Sequence, residues 1–140
     1  MLLAATLLHI LGYDLWFYAS HLLLHTPLLW PYHKLHHAII YPRFTDTYTG
    51  HPLEGPFQSI GFALPLLFFP FDAWAFVIAA TLVNARGMAR HDDRAAWFIG
   101  NHHLLHHQYL KYNFGEYWLD SLFGTAYPRP EQVKRGAIYV

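Results

Sequence analysis

The chain has 140 residues, a length typical of one domain, and we treat residues 1–140 as a single domain. Hydrophobic residues make up 54% of the sequence and charged residues 13%, about half the charged share of a soluble domain, which favours a membrane protein. A formal net charge of zero gives no indication of nucleic-acid binding, and the absence of cysteine excludes disulfides and thiolate metal sites. Twelve histidines outnumber the nine acidic and the nine basic residues, so a metal site here has to be built from imidazole.

The first predicted element is a membrane helix within residues 1–31, which ends at Pro27 and Pro31. Its apolar stretch exceeds the roughly 20 residues that a bilayer crossing needs. It lacks the basic start and the cleavage site of a secretory signal, so we expect it to be retained. The helix carries a first histidine pair, His21 and His25, spaced HxxxH on one face. Taken alone, this pair fits a polar contact between helices as well as it fits a metal site.

The second predicted element is an apolar hairpin over residues 57–85. One crossing needs about 20 residues and two need about 40, so a re-entrant segment with arms 57–69 and 71–85 fits better. Basic residues flank both ends, and the positive-inside tendency places both flanks on the cytoplasmic side. A hairpin would therefore bring the histidines before it next to those after it, which a single crossing would separate.

Two further clusters follow the pattern HxxHH, one before the hairpin and one within residues 96–125. Positions i, i+3 and i+4 of a helix face the same way, so we expect two similar helices, each offering three imidazoles to one centre. Neutral imidazole is a common ligand for iron, zinc and copper, and eight or nine of them indicate two metal ions. The second cluster comprises His33, His36 and His37, and the third comprises His103, His106 and His107.

Ligand histidines need partners for their second ring nitrogen, and three carboxylates are candidates. Asp14 lies on the same helix face as His21 and is the best candidate, followed by Asp120 and Glu54. Four histidines fall outside the clusters. His51 and His91 are isolated, His9 lies on the side of its helix opposite His21, and His102 lies about 100° from His103 and so off the ligand face. We do not expect His9, His51 or His102 to be ligands.

The order HxxxH, HxxHH, HxxHH, followed by the tail segment Trp118 to Thr125, resembles the fatty acid hydroxylase/sterol desaturase superfamily. The segment Gly50 to Glu54 is similar to its sterol C4-methyl oxidase and C5-desaturase branch. The resemblance extends from about Asp14 to Thr125, most of the chain, and the combination of motifs is highly specific.

The resemblance implies an all-α integral membrane enzyme that hydroxylates or desaturates a C–H bond of a sterol or fatty acyl lipid, using O2 and two iron ions. It implies a histidine-rich site on the cytosolic side, in the endoplasmic reticulum of a eukaryote or the inner membrane of a bacterium. Zinc is expected as a substitute metal in a purified sample. Carried over by position, the resemblance implies these ligands, with His91 added: His21, His25, His33, His36, His37, His91, His103, His106 and His107.

The sequence has no glycine-rich dinucleotide loop, so electrons would come from a separate donor such as cytochrome b5 or a reductase. We expect that donor to dock on Lys111, Arg129, Lys134 and Arg135. Two alternatives stay open at this point: a non-enzymatic membrane protein that binds zinc or copper, and a catalytically incomplete fragment. Leu, Phe and Ala dominate the apolar segments and only two methionines occur, which is atypical of a metal-transport pathway.

Overall fold

The computed structural model describes residues 1–138, and within them every regular element is helical, which confirms the all-α prediction. Shorter 3₁₀ turns connect the helices, and one longer 3₁₀ segment, Ile60–Leu67, joins α3 to α4. The helices are α1 (Leu2–Leu24), α2 (Trp30–His33), α3 (Glu54–Ser59), α4 (Ala73–Arg90), α5 (Ala96–Ile99), α6 (His102–Tyr109) and α7 (Tyr117–Phe123).

Helix α1 is long and apolar enough to cross a membrane, by length and composition. Its 23 residues span about 35 Å at 1.5 Å per residue, slightly more than a hydrocarbon core of roughly 30 Å. The helix buries His9, Asp14 and His21, while Leu3 and Leu7 are exposed. Polar residues inside and leucines outside are the reverse of a soluble helix, so this polarity is compatible with a helical membrane domain.

The apolar segment folds back on itself as predicted. Its first arm consists of α3 and the 3₁₀ segment, and its second arm is α4. Asp72 caps the start of α4 by accepting hydrogen bonds from the Trp74 and Ala75 amides. Both arms pack on α1, where Phe62 and Val83 form a buried cluster against Tyr13. Helix α4 continues to Arg90, five residues beyond the predicted end of the hairpin.

The second histidine cluster departs from the predicted helix. His33 is the last residue of α2, whereas His36 and His37 lie in a separate 3₁₀ turn that ends at Ala38. Successive side chains of a 3₁₀ helix are rotated by about 120°, compared with about 100° in an α-helix. The expectation of two similar helices is therefore wrong for this cluster, and its three imidazoles do not share one face.

Two glycines set the distance between α1 and the first arm of the hairpin. A Cβ on Gly61 would lie 2.7 Å from the Cα of Tyr13 and 2.8 Å from the carbonyl oxygen of Gly12. Such close backbone approach through small residues is the usual way in which helices associate in membranes. The contact holds the hairpin against the helix that carries His21 and His25.

We expect Gly61→Ala to destabilise the fold by about 1–3 kcal/mol, because the added methyl group would meet backbone atoms that cannot rotate away. The thermal unfolding midpoint in detergent would measure this change. Gly55→Ala is the matched control, since a Cβ there meets nothing within 4 Å. Equal midpoints for the two variants would contradict the proposed close contact.

Candidate metal centre

The structure brings nine histidines together in two adjacent groups within residues 1–138. In each group, one ring nitrogen per residue lies within 4.8 Å of the corresponding nitrogen of every other member. The five-histidine group comprises His21, His25, His33, His37 and His106, and the four-histidine group comprises His36, His91, His103 and His107. These are the nine residues that the resemblance implied as ligands.

The two groups do not coincide with the sequence clusters. His33 and His37 belong to one group and His36, which lies in the 3₁₀ turn, to the other. On α6, His106 joins the five-histidine group, whereas His103 and His107 face the other. The expectation that each cluster serves one centre is therefore wrong: the second and third clusters both contribute to both groups.

Backbone carbonyls fix the tautomers of five of these histidines. A carbonyl oxygen only accepts hydrogen bonds, so the Nδ1 atom that faces it has to carry the ring proton. In a neutral imidazole this leaves Nε2 with a lone pair, free to bind a metal ion. The acceptors are Phe114 for His21 (2.5 Å), Thr49 for His36 (3.0 Å), Gly87 for His91 (2.7 Å), Tyr112 for His106 (2.6 Å) and Ile39 for His107 (3.1 Å).

These lone pairs converge. The Nε2 atoms of His36 and His91 lie 3.2 Å apart although both rings donate through Nδ1, so two lone pairs face each other. The Nε2 atoms of His25 and His107 are buried without a hydrogen-bond partner among the described residues. A buried lone pair without a donor is unfavourable, and a cation between the rings would satisfy it. The donor set therefore fits divalent iron, zinc or copper.

Burial also keeps these rings neutral. It lowers the pKa of His33 to about 4, of His91 to about 3 and of His107 to about 2, and it lowers the pKa of His103 and His106 well below the usual value. At neutral pH the rings are therefore uncharged, and a metal ion does not have to displace a proton from them in order to bind.

Glu54 is the one acidic candidate that faces a member of the two groups. Its Oε1 atom lies 3.0 Å from Nδ1 of His33, within ion-pair range but not aligned as a hydrogen bond. Burial raises the pKa of Glu54 to about 7. The other carboxyl oxygen is also buried without a hydrogen-bond partner in the described part of the chain.

Asp120 acts on the site through the backbone. Its fully buried carboxylate accepts hydrogen bonds from the amides of Phe114 (2.8 Å) and Gly115 (2.9 Å). The carbonyl of Phe114 in turn accepts the Nδ1 proton of His21. Asp120 thus fixes the loop that orients a histidine, rather than contacting a histidine of either group.

Asp14 occupies a different place from the one expected. Both of its oxygens contact the guanidinium of Arg86, and no hydrogen bond to a histidine is found within residues 1–138. The reason is that α4 extends past residue 85 and places Arg86 beside α1. Arg86 also lies 3.2 Å from Glu116, which contacts Arg90. From the sequence, Arg86 and Arg90 were expected only as basic residues that flank the hairpin, and Glu116 was not among the candidate residues.

The three histidines set aside as ligands lie outside both groups. Nδ1 of His9 lies 2.7 Å from the carbonyl of Phe62 and joins α1 to the hairpin. His51 accepts the Leu53 amide through Nδ1 at 3.2 Å, and His102 bonds Asp120 through Nε2 at 2.9 Å.

A cavity of about 430 Å³ leads to both groups. Its volume is within the usual range of roughly 300–1,000 Å³ for small-molecule sites. It reaches His21 and His33 of one group and three members of the other. The apolar part of its wall comes from α1 and from both arms of the hairpin, through Tyr13, Phe17, Phe62 and Val83.

The profile of the Fatty acid hydroxylase family matches residues 6–125. The Delta(7)-sterol 5(6)-desaturase ERG3A of Gibberella zeae is 32% identical over 136 residues, which are 89% of this chain and 38% of that protein. The corresponding ERG3 enzyme of Saccharomyces cerevisiae is 29% identical over 124 residues, 81% of this chain and 33% of that protein. The chain thus spans about two fifths of the length of the curated relatives it matches. No solved structure matches the chain significantly.

We expect the metal-free protein to lose stability as the pH falls from about 7 to about 5. His33, His91 and His107 have an ordinary pKa of about 6.5 when unfolded, so the unfolded chain binds more protons in this range. Each of the three lowers the free energy of unfolding by about 2 kcal/mol between pH 7 and pH 5. Glu54 has the opposite effect, because its raised pKa makes the folded chain take up a proton more readily than the unfolded chain.

The measurement is the unfolding midpoint of the metal-free protein at the two pH values. His33→Gln is expected to reduce the drop, whereas His51→Gln, outside both groups, is the control that leaves it unchanged. A midpoint that is constant with pH in the unsubstituted chain would contradict the prediction.

Proposed function

Because the chain belongs to the fatty acid hydroxylase family, we propose that it binds two iron ions and uses O2 to oxidise a C–H bond of a lipid. The observation that carries this proposal is the convergence of nine neutral imidazoles into two adjacent groups beside a cavity. Bound iron would supply the oxygen-dependent oxidation. The residues of this chain would hold the metals, orient the ligands and seat the substrate.

The proposed ligands of one metal ion are His21, His25, His33, His37 and His106, and those of the other are His36, His91, His103 and His107. Backbone carbonyls orient the Nε2 atoms of five of these histidines before a metal ion binds, so little reorganisation of those rings is needed. Glu54 and Asp120 support His33 and His21. Because nearly all of these histidines are buried, water has limited access to the metal centre.

The substrate we propose is a sterol or a fatty acyl lipid that enters the cavity between α1 and α4. Relatives named as Delta(7)-sterol 5(6)-desaturases favour a sterol and a desaturation, and the family profile favours a hydroxylation of an acyl chain. The apolar side chains of Phe17, Phe62 and Val83 would contact the hydrocarbon part. The metal-facing wall would then present the reacting carbon to both histidine groups.

The proposed setting is a membrane that α1 crosses, with the metal centre on the cytosolic side. This would be the endoplasmic reticulum in a eukaryote or the inner membrane in a bacterium. Electrons would reach the centre from an external donor such as cytochrome b5 or a reductase. Lys111, Arg129 and Lys134 are exposed and are the proposed docking residues, together with Arg135.

The central test is metal and lipid analysis of the full chain and of His106→Ala, with His51→Ala as the control. We expect about two iron ions per chain and an oxidised lipid in expressing cells. In His106→Ala the lipid product is expected to be lost and the iron content to fall to about one ion per chain, whereas His51→Ala is expected to keep both. Reversibly bound zinc or copper without a lipid product would contradict the enzyme and favour a metal-binding protein.

If each histidine group holds its own iron ion, a substitution in one group should remove only the ion held by that group. We expect His103→Ala and His25→Ala each to retain about one iron ion, because each removes a ligand from a different group. Elemental analysis together with Mössbauer spectroscopy would distinguish one remaining iron environment from two. If both variants bind the full amount of iron with unchanged spectra, the assignment of these ligands is wrong.

A further inference from the structure

Four charged side chains meet beside the cavity. Asp14 comes from α1, Arg86 and Arg90 from α4, and Glu116 from the residue before α7. Arg86 contacts both carboxylates, and Arg90 contacts Glu116. Two cations and two anions balance, so this cluster carries no net charge.

The cavity meets the cations and not the anions of this cluster. Arg86 and Arg90 both line the cavity wall, whereas Asp14 and Glu116 lie behind them and are not part of it. The side chain of Arg86 is 17% exposed, against 9% for Arg90, 8% for Asp14 and 2% for Glu116. A guanidinium has five N–H donors and no acceptor. The cavity wall, which also carries polar side chains such as Gln58 and Asn84 and the carboxyl group of Glu54, therefore offers a charged hydrogen-bond donor at Arg86.

We propose that Arg86 determines substrate specificity by donating a hydrogen bond to a neutral oxygen of the lipid, a hydroxyl or a carbonyl. This inference rests on the proposed function. Arg86 lies on the turn of α4 whose Gly87 carbonyl orients His91, and His91 lines the same cavity. An oxygen held by Arg86 would thus fix the lipid relative to the four-histidine group.

The charge balance decides between a neutral oxygen and a carboxylate. Asp14 and Glu116 already neutralise the two arginines, so an anionic lipid group would add an uncompensated charge in a buried place. Burial of an unpaired charge costs far more than one hydrogen bond returns, whereas a neutral oxygen loses little solvation. The cavity is therefore suited to a lipid alcohol or ketone rather than to a free acid.

The experiment measures binding of matched lipids to the purified full chain in detergent. One series is a Delta(7)-sterol, its deoxy analogue and its sulfate ester; the other is a long-chain fatty alcohol, the alkane and the fatty acid. We expect the alcohol to bind best in the series that fits the cavity, about tenfold tighter than the analogue without oxygen, as for one hydrogen bond to a charged donor. The anion is expected to bind more weakly than the alcohol.

Arg86→Met is expected to remove the preference for the alcohol, and Arg86→Lys to keep part of it. Arg94→Met is the matched control, because Arg94 is exposed and does not line the cavity. Since Arg86→Met leaves Asp14 without its partner, Asp14→Asn/Arg86→Met restores the charge balance and tests the same loss in a neutral background.

An alcohol that binds no better than its oxygen-free analogue, a preference for the anion, or a preference that survives Arg86→Met would overturn the role of Arg86. Iron content and lipid oxidation are measured separately. Oxidation without an Arg86-dependent preference would overturn this inference alone, and an Arg86-dependent preference without iron or product would overturn the proposed function alone.

Discussion

The hydrogen bonds from histidine Nδ1 atoms to backbone carbonyls are the interaction on which the site depends. Each carbonyl selects one tautomer and one ring orientation, and together they direct lone pairs to two points in space. The carbonyls come from three separate loops and from helix α4. The ligand geometry is therefore a property of the folded backbone, and an error in the path of one loop would misdirect a ring that lies far away in sequence.

The fold around α1 serves that geometry. A membrane helix with polar residues on its inner face needs partners that satisfy them, and the hairpin supplies these through the Phe62 carbonyl for His9 and Arg86 for Asp14. The contact between Gly12 and Gly61 allows the hairpin to approach so closely. Because the hairpin returns to the end where it began, His36 and His91 meet although 55 residues separate them.

Sequence patterns predicted the helical class, the hairpin and the candidate histidines, because each depends on residue type and short-range spacing. The division into two groups could not be predicted, because it depends on where the packed helices place each ring. His36 and His106 separate from their clusters in the same way, although one lies in a 3₁₀ turn and the other on the regular helix α6. His91 is isolated in the sequence, and only the family resemblance identified it as a candidate ligand. Carbonyl acceptors such as Tyr112 have no side-chain signature, and the pairing of Asp14 with Arg86 required knowledge of where α4 ends.

The neutral charge cluster and the neutral imidazoles of the proposed metal site follow from one constraint. A buried site cannot hold unbalanced charge at low cost, and imidazoles would serve here in place of the carboxylates of soluble two-iron bundles. Two of its buried carboxylates, Asp14 and Glu116, are paired with Arg86 and Arg90. Of the others, Asp120 accepts hydrogen bonds from backbone amides, and burial raises the pKa of Glu54 to about 7. A metal ion bound by neutral ligands keeps its full positive charge inside the protein. That charge would be available to the anions that accompany the metal and to Glu54, whose carboxyl group lines the cavity 3.0 Å from Nδ1 of His33.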